Sequence, residues 1–130
     1  MKNKILSFLV VLVICISSVI PAWAATDQYV FDPDEHLSVQ DLYDLDYEGS
    51  AIESKYGIAV MFCITSEVPD DGNYESYCKS IYDTYSDTED AIVMTHFTTD
   101  SAWSTYRCGD ALTVFNDAVE QGLWNVYNEN

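Results

Sequence analysis

The sequence predicts an α/β domain, a three-layer α/β/α sandwich around a small, mixed, mostly parallel sheet of about four strands. Three observations carry this prediction. Apolar runs of strand length alternate with segments of helical periodicity in the order strand, helix, strand, helix, strand, strand, helix. The run from Ile58 to Thr65 has hardly a polar residue, as a strand covered on both faces requires. Thr98 to Ser101 is too short a link for a crossover helix, so the last two strands form an antiparallel hairpin.

At the amino terminus Lys2 and Lys4 precede an apolar run from Ile5 to Ile20, followed by Pro21 and Ala22-Trp23-Ala24. That is the pattern of a secretory signal peptide, with small residues where a signal peptidase needs them, and cleavage is expected after Ala24. A retained membrane anchor is the competing reading, since the apolar run is long for a leader. Residues 25–130 are then a single domain with a modest core. It is expected outside the cytoplasm, secreted or at the cell envelope, as a monomer with no transmembrane anchor once the leader is gone.

Tyr29-Val30-Phe31 is a short strand ended by the turn Asp32-Pro33-Asp34-Glu35. The next helix begins at Ser38, whose hydroxyl can accept from a free first-turn amide, with Leu37 and Leu42 at the staple positions. Leu42, Leu45, Gly49, Ile52 and Tyr56 keep one face inward, Lys55 suits the last turn, and Gly57 suits the left-handed cap. After the strand Ile58 to Thr65, a polar loop from Ser66 to Asn73 leads to a helix that Asn73 can cap. That helix, Tyr74 to Tyr85, sets Tyr74, Tyr77, Cys78, Ile81, Tyr82 and Tyr85 on one stripe. Core packing with hydroxyls at the rim is the favoured reading, and sugar stacking the alternative. Ser86 to Asp90 is a turn, Ala91 to Phe97 a strand and Ala102 to Cys108 its hairpin partner, stopped by Gly109. Ala111 to Tyr127 is helical by spacing, with Gly122 a weak point that can split it.

Composition narrows the function classes. All 22 acidic residues lie after Ala24, against only Lys55, Lys79 and Arg107, a formal charge of −19 for residues 25–130. Such a surface repels a phosphate backbone, so nucleic acid is excluded as a partner. It suits a solvated exported protein or one that collects hard cations. Three cysteines follow the leader; Cys63 reads as a small buried hydrophobe, and Cys78 with Cys108 is the pair favoured if a bridge exists. His36 and His96 lack a sequence partner of a catalytic or zinc-binding kind and read as packed or solvated histidines.

From about Tyr29 to Phe115 the chain resembles the TPM domain family, which includes a thylakoid-lumen acid phosphatase and many exported bacterial proteins. The resemblance rests on Val30-Phe31-Asp32 followed by Leu37-Ser38 and on the Lys55-Tyr56-Gly57 junction. The helix Tyr77 to Tyr85, the acidic turn before Ala91-Ile92-Val93-Met94 and the glycine after the last strand follow in the family's order. It implies an exported α/β/α sandwich, often membrane-associated, that in some members binds calcium or hydrolyses phosphate monoesters at an acidic cluster. Asp32 matches the family's opening aspartate. Glu89 and Asp90 stand where the family has aspartate and asparagine before a glycine, here Ala91; Ala111 replaces a second glycine and the basic residues there reduce to Arg107.

Two functions follow as expectations. The first is a calcium-binding or protein-interaction module whose metal ligands come from Asp32, Glu89 and Asp90, then Asp70 and Asp71. The second is a metal-dependent acid phosphatase-like hydrolase in which Ca²⁺ or Mg²⁺ on the same carboxylates holds the phosphate. No organic cofactor is expected. The hydrolase lacks a phosphate-cradling glycine loop, a nucleophile signature and an arginine cluster. No catalytic residue is assigned.

Overall fold

The computed structural model describes residues 2–15 and 26–129. The helix α1 (Lys2–Cys15) is followed by β1 (Val30–Phe31), α2 (Val39–Tyr56), β2 (Ala59–Thr65) and α3 (Tyr74–Tyr85). The hairpin β3 (Ala91–Phe97) and β4 (Ala102–Cys108) then leads to a single turn, α4 (Ala111–Val114), and to α5 (Asp117–Glu129). The strands lie in the order β1-β2-β3-β4, the first three parallel and β4 antiparallel to β3. The expected order of elements and the mixed, mostly parallel sheet are both present. Among the described residues no helix is long and apolar enough to cross a membrane.

Local chemistry accounts for the element ends. Ser38 Oγ accepts from Asp41 N at 3.1 Å, and Gly57 closes α2 at φ 75°, its amide donating to the Glu53 carbonyl at 2.8 Å. Asn73 caps α3 through Ser76 N at 3.0 Å. The last helical segment does divide, but at Phe115 and Asn116 instead of Gly122, which lies inside α5. Arg107 of β4 donates to the Phe115 carbonyl, and Asn116 Oδ1 accepts from Val119 N at 3.1 Å, so a new helix start is capped there.

Strand alternation sorts the sheet into two faces. On one, Thr95 takes a bond from Cys78 Sγ at 3.2 Å, Phe97 meets the edges of Tyr74 and Tyr77, and Tyr106 packs on Tyr82, all three contacts made by α3. On the other, Phe62 packs against Phe8 of α1 and Trp124 and Tyr127 of α5, while Trp103 meets Trp124. Helices on both faces make the chain a sandwich. α2 packs along β1 and β2 and borders α1. The first part of the expected leader is thus a helix on the domain, with Ile5, Phe8 and Leu9 buried; the expected cleavage point at Ala24 lies outside the described residues.

Cys63, Cys78 and Cys108 are free thiols, so the pairing of Cys78 with Cys108 is not formed. Cys78 points instead at Thr95 in the core. Burial pushes the Cys63 thiol up to about 12 and the Cys78 thiol up to about 11, which leaves both inert at neutral pH.

Candidate functional site

Parallel strands present their carboxyl ends on one edge of the sheet, where α/β domains gather ligands. Here that edge carries the loops after Phe31, Thr65 and Phe97, and hydrogen bonds from side chains and backbone bind the three together. Asp34 accepts from Ser66 N at 2.6 Å and from Ser66 Oγ at 2.9 Å, joining the first loop to the second. Thr99 Oγ1 donates to the Ser66 carbonyl at 2.7 Å and Thr98 N to the Thr65 carbonyl at 2.8 Å, which adds the third. The two bonds from Ser66 hold the Asp34 carboxyl below its ordinary range, because they favour the charged form.

Asp32 is the first residue beyond β1. Its Oδ2 accepts from Leu37 N at 2.6 Å and its Oδ1 pairs with His36 Nδ1 at 3.0 Å, while its carbonyl accepts from Glu35 N at 3.1 Å. The carboxylate is fully covered by these partners. It therefore shapes the turn into α2, each oxygen already accepting one hydrogen bond.

Beside this turn a groove of about 360 Å³ runs between α2 and α3. Phe31, Leu42, Cys63, Tyr77, Ile81 and Tyr85 form apolar walls, with Gln28 and Asp32 as polar members. Phe31 and Tyr85 pack ring to ring at 4.7 Å. Burial, and next a bond to Glu67, raises the Tyr77 phenol above its ordinary range, so it stays a neutral donor.

The expected metal ligands divide between the two ends of the sheet. Asp70 and Asp71 lie in the exposed loop after β2, on the same edge as Asp32, and Asp71 Oδ1 accepts from Asn73 N at 2.9 Å. Glu89 and Asp90 precede β3, at the amino edge. The register Phe31, Cys63, Thr95 sets Asp32 level with His96, six residues beyond Asp90. At about 3.3 Å per residue the two carboxylate groups stand roughly 20 Å apart. Asp90 has its own structural work there, accepting from Asp110 N at 2.7 Å and, through its carbonyl, from Ala59 N at 3.0 Å. Gly109, at φ 61°, lies so close to Glu89 and Asp90 that a side chain would collide with them. Among the described residues no group of three or more His, Cys, Asp or Glu side chains is arranged to hold a metal ion.

The sequence reading found Asp32 but not the groove. The available signal was the tyrosine stripe: Cys78 and Ile81 do point into the core, yet Tyr77 and Tyr85 remain half-buried at the groove wall. The chain is an α/β sandwich with a groove that runs between α2 and α3 from the carboxyl edge of its parallel strands. No protein-family model matches this chain, and no curated protein matches it.

Proposed function

We propose that the chain is an exported TPM-like binding module that takes a basic, partly apolar segment of a protein partner in the groove between α2 and α3. The observation that carries this reading is the groove's chemistry, aromatic and aliphatic walls beside an edge that exposes Asp34, Glu67, Asp70 and Asp71. Apolar walls supply contact area, and a surface of one sign attracts a partner of the other. The amino-terminal leader pattern supports export to the cell envelope or beyond.

Calcium is the second reading, favoured by the exposure of Asp70 and Asp71 on the same edge. Phosphate monoester hydrolysis rests on family resemblance alone. Calorimetric titration of the full chain with the peptide Lys-Phe-Lys-Leu-Lys tests the interaction reading. A Kd below about 1 mM is expected, weakened at least about threefold in Leu42→Lys, which places a cation on the groove wall. No heat of binding at millimolar peptide would sink the proposal. A rise in melting temperature with millimolar Ca²⁺ would favour the metal site instead, and metal-dependent turnover of p-nitrophenyl phosphate would favour the hydrolase.

A further inference from the structure

On the face of the sheet opposite α3, α1 lies in an aromatic trough between α2 and α5. Its contacts follow the pattern of a helix held in a groove, with anchors at i, i+3 and i+4. Ile5 and Phe8 are fully buried and Leu9 nearly so, whereas Leu6 and Val10 face outward. Phe8 is the central anchor, 5.8 Å from the Phe62 ring and 6.4 Å from Trp124. Charge fixes the direction of the helix. Lys2 Nζ lies 3.4 Å from Asp41 and 3.2 Å from Asp44 on α2, and Lys4 Nζ sits 4.7 Å above the Tyr127 ring.

The same residues are an export leader by sequence, and cleavage after Ala24 would free α1 from the domain. Phe62, Trp124 and Tyr127 would then face water as one apolar surface, the kind that marks an interaction site. We infer that this trough is a helix-binding site, occupied by α1 in the full chain and, once α1 leaves, by a partner's apolar helix with a basic first turn. The inference rests on leader removal and not on the groove beside Asp32: α2 borders both, but the groove is walled by Phe31, Cys63 and α3 and the trough by Phe62 and α5 on the other face of the sheet. The seated helix specifies the partner's chemistry: basic residues in the first turn for Asp41, Asp44 and the Tyr127 face, then an aliphatic residue and, three and four positions on, an aromatic and an aliphatic one.

Hydrogen exchange on the unmodified full chain gives the first test. A resident that can leave opens locally, so the α1 amides are expected to exchange at least about tenfold faster than those of β2 and β3. Equal protection would make α1 part of the core and overturn the inference. The second test uses Phe8→Asp in the full chain, which removes the central anchor, with a fluorescein-labelled peptide of residues 2–10. The folded variant is expected to bind the peptide, while the unmodified chain, its trough filled, does not. Lys2→Glu in the peptide should weaken binding about three- to tenfold, and Asp41→Lys with Asp44→Lys in the chain should restore it. A Phe8→Asp chain that loses its β2 and β3 protection, or that stays folded and ignores the peptide, would equally overturn the inference.

Discussion

His96 lies in β3 stacked on Trp103, ring centroids 5.2 Å apart, with its Nδ1 hydrogen-bonded to the Tyr127 hydroxyl at 3.0 Å. Burial, and next the Lys4 ammonium, holds its pKa below the ordinary 6.5. The unfolded chain therefore takes up a proton before the folded one. The stability that His96 contributes is complete above pH 6.5 and declines as the pH falls through it. Denaturant midpoints at pH 7.5 and 5.5 are expected to differ less in His96→Gln than in the unmodified chain. At this scale the sequence identified residue types well and partners poorly. Asp32 was legible as a carboxylate just past a strand; its use as an acceptor for Leu37 N depends on how the intervening turn folds. Asp90 is legible as an acid before a strand; that its Oδ1 accepts from Asp110 N depends on the hairpin, which brings the two together.

Elements were the most legible level, because caps and periodicity are local. Ser38, Gly57 and Asn73 occupy the ends that their chemistry indicated. Gly49 needs a tertiary explanation, since glycine costs an internal helical position about 1 kcal/mol relative to alanine. A Cβ there would meet Tyr29 Cβ at 2.5 Å and Cγ at 2.7 Å. Tyr29 is pinned, with its amide on Asp46 at 2.6 Å and its hydroxyl bonded to Glu53, so it cannot easily withdraw. Overpacking costs about 1–3 kcal/mol, which exceeds the gain in helix propensity. Gly49→Ala is therefore expected to lower the thermal midpoint by several degrees. A rise would mean that β1 yields freely to α2. The division of the last helix falls at Phe115 and not at Gly122 for a tertiary reason as well, because the Phe115 carbonyl is taken by Arg107 of β4.

For the whole molecule, alternation of strands and helices was enough to indicate the sheet and to bring Asp32, Asp70 and Asp71 to its carboxyl edge. The same order, with β3 parallel to β1 and β2, puts Glu89 and Asp90 at the other edge; it is the family resemblance that groups them with Asp32. Sequence order did not reveal the trough filled by α1, since a leader pattern describes export and says nothing of where its helix can rest. Two surfaces result, a groove with an acidic edge and an aromatic trough, and the functional account rests on the first. Backbone amide shifts of the ¹⁵N-labelled full chain, followed during titration with Lys-Phe-Lys-Leu-Lys, test it most directly. The account predicts saturable shifts gathered at residues 31–34, 42, 63–67 and 77–85; shifts confined to the α5 trough, or spread evenly over the acidic surface, would contradict it.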